Sequence, residues 1–230
     1  MAQIRTKICG LKDAENLSAA INAGAAYIGF VFFPNSPRNI SIEEAAALAA
    51  SVPPGIAKVA LLVDPDDVLL ESITRAVPID MIQLHGKETP RRVTEIKALT
   101  GLPAMKAIGV SGPDDIAQIQ SYGEVADQLL IDAKAPKGAD LPGGNGLSFD
   151  WTLIANINWP KPWMLAGGLT AQNVALAIEK TRATQVDVSS GVESAPGEKD
   201  PAKIRAFLKA TNAITNGAAP ILHAAPKAKT

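Results

Sequence analysis

Disulfides, metal centres and membrane spans find almost no raw material in this chain. Of its 230 residues one is cysteine, Cys9, and two are histidine, His85 and His223. A single thiol excludes an internal disulfide framework and a cysteine-based zinc site. Two histidines leave no His-rich metal site to expect. Charge of one sign is missing too, because 22 basic and 23 acidic side chains give a net charge of −1. That balance offers neither the basic surface that nucleic acid needs nor an acidic solvating tail. The longest nearly apolar run, Ala25 to Phe33, falls far short of the ~20 residues that cross a bilayer. No membrane partner is therefore expected. The opening MAQIRTKICG has no long apolar segment behind its charges, so no signal peptide is expected. A lone thiol suits a reducing cytoplasm.

What is present is the material of a globular protein. Hydrophobic residues make up 47% and charged residues 20% of the chain, enough apolar surface for one large domain or two small ones. β-type runs begin near Ile4, Ala26, Ile56, Ile79, Pro103, Ala126, Pro162 and Thr184. Helical runs lie between or after them: Asp13 to Ala23, Ser41 to Ser51, Asp66 to Ala76, Pro90 to Thr100, Pro113 to Tyr122, Ala171 to Lys180 and Pro201 to Asn212. Ser41, Thr170 and the pair Asp200-Pro201 stand where helix starts need a cap or a first-turn proline. Strict alternation implies parallel strands joined by helical crossovers. Eight such units predict an α/β fold, a closed (β/α)₈ TIM barrel over residues 1–212. A doubly wound open sheet is the alternative, but its glycine-rich first turn is reduced here to Gly10. Residues 213–230 lack periodicity and read as a solvated tail.

Alternation along each strand then sorts side chains between the helix layer and the barrel axis. On the first strand Ile4, Thr6 and Ile8 should face the helices, leaving Arg5, Lys7 and Cys9 inward. By the same parity Gln83 and His85 share a face with Met81, Asp132 with Leu130, and Ser189 with Asp187. A one-residue slip would reverse every assignment. Barrel enzymes place their chemistry at the C-terminal ends of the strands, where these polar residues lie. Each still has two readings. Cys9 is an inert small hydrophobe, or a base if nearby cations such as Lys7 favour its thiolate. Asp132 is a structural acid paired with Lys134 or Lys106, or an acid made protonatable by burial. His85 is a core histidine or a site residue. Arg38, in a loop stiffened by Pro34 and Pro37, is a surface residue or a cation held for a carboxylate. Gly167-Gly168 and Ser190-Gly191, after the seventh and eighth strands, suit the backbone phosphate cradle common in this fold. Gly143 to Gly146 closes over a ligand or is simply a turn.

Taken together these segments resemble the phosphoribosylanthranilate isomerase family of tryptophan synthesis. The resemblance rests on Lys7-Ile8-Cys9-Gly10, Gly29 to Phe32, Pro34 to Arg38, Gln83 to Gly86, Leu130 to Asp132, Gly143 to Gly146 with Phe149 to Trp151, Ala166 to Leu169, and Asp187 to Glu193. It implies a cofactor-free Amadori rearrangement of a small sugar phosphate, with Cys9 as general base and Asp132 as general acid. It implies that Arg38, Gln83, His85 and Asp187 bind substrate, and that Gly144, Gly146, Gly167, Gly168, Ser190 and Gly191 hold phosphate. A monomer or homodimer is expected. One departure stands at Asn145, where the family usually has Thr, and altered loop detail is expected there. A sugar-phosphate-binding barrel without catalysis would have lost the acid or the base, and both are present. Indole-glycerol-phosphate synthase and the ProFAR isomerase of histidine synthesis are neighbouring barrels, but neither family is built around KICG.

Overall fold

The computed structural model describes residues 3–135, 139 and 141–215. Eight parallel strands close on themselves: β1 (Arg5–Cys9), β2 (Tyr27–Phe32), β3 (Ala57–Leu62), β4 (Met81–Leu84), β5 (Ala104–Val110), β6 (Gln128–Ala133), β7 (Trp163–Leu165) and β8 (Gln185–Val188). Closure is made by β1 against β8, with Lys7 opposite Asp187. Around them lie α1 (Ala14–Asn22), α2 (Ile42–Ala50), α3 (Asp67–Ala76), α4 (Pro90–Thr100), α5 (Pro113–Val125), α6 (Val174–Thr181) and α7 (Pro201–Thr215). No described helix is long and apolar enough to cross a membrane.

Local chemistry explains where the helices begin. Ser41 and Glu44 form a reciprocal capping box on α2. Asp13, Asp66 and Thr89 each accept a backbone N–H at a helix start. Pro90, Pro113 and Pro201 occupy first-turn positions, where a missing N–H costs nothing. Thr170 behaves differently from expectation. It exchanges hydrogen bonds with Asn173 in a turn, and α6 starts only at Val174.

Two further expectations are corrected. The sixth crossover carries no α-helix among the described residues, only a 3-10 turn at Trp151–Ile154. Its proline and glycine content disfavours a longer helix. The last helix runs past Asn212 to Thr215, with Ile214 packed on the core. The boundary drawn at 212 therefore cuts a helix. The remainder of the expected tail, 216–230, and His223 with it, lies outside the described residues. Two short strands that the sequence did not reveal, β9 (Glu193–Ala195) and β10 (Glu198–Lys199), form a hairpin after β8.

The apolar material divides in two. Ile8, Ile28, Phe30, Ile82, Leu129, Ile131 and Val186 meet the helices in the outer layer. Tyr27, Val59, Met105, Leu130 and Met164 fill the barrel interior. The expected parity is the one observed: Ile4 and Ile8 belong to the outer layer, and Thr6 hydrogen-bonds Thr211 of α7. The barrel is thus plugged below its mouth, and polar strand ends above the plug can serve only the C-terminal face.

Candidate active site

The mouth of the barrel is a pocket whose wall includes Cys9, Arg38, His85, Asp132 and Asp187. Cys9 ends β1 and is 3% exposed. Its neighbour on the same face, Lys7, is fully buried and donates to Asp187 Oδ1 at 3.0 Å. Burial alone would lower the Lys7 pKa, but Asp187 and Cys9 beside it carry it above its ordinary value. Burial pushes the Cys9 thiol up, and this outweighs the pull of Lys7 and of Lys199. The cations expected to favour thiolate are present, then, but desolvation is the larger effect.

Asp132 ends β6 nearly buried. Its Oδ1 accepts from the Ala133 N–H at 2.8 Å, and its Oδ2 lies 3.3 Å from His85 Nε2. Neither expected lysine partner reaches it. Lys134 pairs with Asp115. Lys106 donates to Glu88 at 2.6 Å and to the Gly86 carbonyl at 2.7 Å. The neighbour of Asp132 is instead a histidine from β4's end, which sequence reading did not foresee. Gln83 is fully buried and is not part of the pocket wall; its Nε2 meets His85 Nδ1 at 3.0 Å. His85 is thus held between Gln83 at Nδ1 and Asp132 at Nε2.

Arg38 is 6% exposed, so its loop does hold it inward. Its Nε and Nη2 grip Glu193 at 2.7 and 2.9 Å, and Nη2 also donates to the Gly144 carbonyl at 3.1 Å. Nη1 faces Gly144, where an added Cβ would come within 2.7 Å of it. Glu193 also takes Lys199 Nζ at 2.6 Å. Against the cost of burial, Arg38 and Lys199 hold its carboxyl at about 2. Glu193 ends the Asp187-to-Glu193 motif, but nothing in the sequence marks its role or that of Lys199. Only the hairpin after β8 brings that lysine to Ser189 and Glu193.

Gly144, Gly146, Gly167, Gly168 and Ser190 also line the pocket, so three consecutive crossover loops meet there. Gly167 and Gly168 have φ of 88° and 59°, the left-handed conformation that glycine supplies without strain. Gly191 is not part of the wall; its Cα packs so tightly on the Leu169 carbonyl that a Cβ would lie 1.9 Å away. It joins two loops instead. Asn145 binds the Leu141 carbonyl at 3.1 Å, within its own loop. No cluster of three or more metal-ligating side chains occurs among the described residues.

The mouth thus sets a thiol, a carboxyl and an imidazole beside three glycine- and serine-bearing loops. The family model described as N-(5'-phosphoribosyl)anthranilate (PRA) isomerase matches residues 6–210. An N-(5'-phosphoribosyl)anthranilate isomerase of Cereibacter sphaeroides is 60% identical over 209 residues, covering 91% of this chain and 99% of that protein. The crystal structure of phosphoribosyl anthranilate isomerase from Thermotoga maritima superposes with a TM-score of 0.82 at 34% identity, covering 91% of this chain and 98% of that one. A phosphoribosyl anthranilate isomerase structure in complex with reduced 1-(o-carboxyphenylamino)-1-deoxyribulose 5-phosphate gives 0.80 at 33%, covering 93% and 100%.

Proposed function

The chain belongs to the N-(5'-phosphoribosyl)anthranilate isomerase family, and we propose that Cys9 and Asp132 divide its chemistry across the barrel mouth. It is an isomerase of tryptophan biosynthesis, converting N-(5'-phosphoribosyl)anthranilate to 1-(2-carboxyphenylamino)-1-deoxyribulose 5-phosphate by an Amadori rearrangement. The observation that carries the division of labour is that one thiol and one carboxyl, from strands β1 and β6, line the same pocket.

In this reading Asp132 gives its proton to the ribose ring oxygen. The C1–O bond breaks, and the amine lone pair forms the C=N bond of a Schiff base. The carboxylate left behind is already met by the Ala133 N–H and by His85. Cys9, as thiolate, then removes the proton from C2. The C2–H electron pair becomes a C1=C2 double bond, and the C=N pair returns to nitrogen. The resulting enolamine tautomerises to the ketone by losing the O2 proton and gaining one at C1. Every step moves a proton between protein or solvent and substrate, or an electron pair within the substrate, so the scheme calls for no metal or cofactor. Arg38, which lines the pocket, meets the anthranilate carboxylate. Asp187 approaches the same end. Gly144, Gly146, Gly167, Gly168 and Ser190 enclose the phosphate, and Gly191 fixes the two loops that do so. Gln83 serves by holding His85. The free thiol supports assignment to the cytoplasm.

The test generates phosphoribosylanthranilate in situ and follows the loss of its fluorescence with the parent, Cys9→Ala and Asp132→Asn. Fast loss with the parent and a kcat lower by ~10²–10⁴ in each variant is expected, with smaller changes in KM. A near-normal kcat in either variant removes that residue from its role.

A further inference from the structure

We propose that Lys199 is a positioning residue for this reaction: its buried ammonium supplies the surplus positive charge that a thiolate at Cys9 requires, and it holds the Cys9 backbone through Ser189. The inference rests on the reading of Cys9 as the base.

The charges beneath the mouth do not cancel. Lys7 comes from β1, Arg38 from the loop after β2, and Lys199 from β10; Asp187 comes from β8 and Glu193 from β9. All five side chains belong to residues at most 8% exposed. Lys7 is matched by Asp187. Arg38 and Lys199 both fall on the one carboxylate of Glu193. Among the described residues of this cluster, three buried cations against two buried anions leave one positive charge over, and Lys203 Nζ adds a further cation at the Glu193 carbonyl, 2.6 Å away. A buried charge without a counter-ion is costly, and a thiolate formed beside it relieves that cost. Across the mouth the facing titratable groups, His85 and Asp132, meet each other.

Lys199 is also pinned. Its three N–H bonds have three acceptors: Glu193 Oε1 at 2.6 Å, the Ser189 carbonyl at 3.0 Å and Ser189 Oγ at 3.1 Å. Ser189 Oγ in turn donates to the Cys9 carbonyl at 3.2 Å. The hairpin thus ties the end of β8 to the Cys9 backbone at the end of β1. The electrostatics agree in both directions. Burial raises Cys9 while Lys7 and Lys199 oppose it. Burial lowers Lys199, and Glu193 and Cys9 oppose that. Each group therefore favours the charged form of the other.

Because Cys9 is the only cysteine, its ionisation can be read in the full chain from the pH dependence of iodoacetamide alkylation, with Cys9→Ala as blank. Lys199→Gln removes the charge and keeps hydrogen-bonding atoms, Lys199→Met removes both, and Lys199→Arg keeps the charge. Alkylation at neutral pH is expected to slow about tenfold in Lys199→Gln and Lys199→Met. The midpoint should move to higher pH and kcat should fall more than KM rises. Lys199→Arg should restore most of both. A folded Lys199→Gln, checked by thermal melt, that alkylates like the parent while kcat falls makes the hairpin a mere tether and overturns the proposal. Failure of both charge-free variants to fold overturns it also, by assigning Lys199 to the fold. If Cys9→Ala remains fully active the base reading fails, and the alkylation data still decide whether Lys199 sets the thiol.

Discussion

Asp132 meets the imidazole of His85 at the barrel mouth, with Nε2 3.3 Å from its Oδ2. Its position at a strand end, pointing inward, follows from parity with Leu130. Its partner does not, because the choice among Lys106, Lys134 and His85 depends on strand stagger around the barrel. Lys106 turns instead to Glu88, and Lys134 leaves the barrel for Asp115. The observed chain of Gln83, His85 and Asp132 carries a prediction. Gln83→Glu places a carboxylate against Nδ1, which draws the imidazole proton there or charges the ring. The contact between His85 Nε2 and Asp132 Oδ2 then changes character. Steady-state kinetics should show kcat lower by ~10- to 100-fold with a smaller change in KM. An unchanged kcat would mean that the tautomer of His85 is irrelevant to proton donation.

Among the elements, the sixth loop and the last helix gave the least away. Glycines at 143, 144 and 146 are visible in the sequence, but not which atom each must clear. Gly144 has φ of 72° and sits against Arg38 Nη1. Gly144→Ala pays twice, in backbone strain and in displacement of the guanidinium. A rise in KM of at least several-fold is expected, and an unaltered KM would separate this loop from substrate binding. The end of α7 was misplaced because Ala213, Ile214 and Thr215 follow Asn212 with no strong periodic signal. Ile214 nevertheless packs on the core. Truncation after Asn212 should therefore lower Tm relative to truncation after Thr215. Equal melting temperatures would show that this contact adds nothing.

For the molecule as a whole, the buried charges at the mouth link stability to pH. The Glu193 carboxyl is lowered from 4.5 to about 2 by Arg38 and Lys199, which outweigh its burial. Asp115 is likewise held below its ordinary value, by Lys134 and the Ser111 donors against burial, and Asp127 by Lys97 and the Ala104 N–H. Depressed carboxyls contribute stability that is complete above their unfolded-state values and is lost as pH falls through their folded-state values. Urea midpoints should stay level down to about pH 5 and fall between pH 4.5 and 2. In Glu193→Gln that fall should be shallower, from a lower starting stability. A parallel fall in parent and variant would place the acid sensitivity elsewhere.

The sequence by itself determined the barrel, its strand order, the inward parity of Cys9, Asp132 and Asp187, and the gathering of the glycine loops at one end. These follow from period and alternation, which local chain geometry imposes before any distant contact forms. Tertiary structure alone decided who pairs with whom. Arg38 and Glu193 stand 155 residues apart and Lys7 and Asp187 stand 180 apart. Lys199 reaches Ser189 and Glu193 only because a two-strand hairpin follows β8. Pairing in a buried site depends on barrel stagger and on the return path of loops, and neither leaves a repeat in the sequence for periodicity to detect.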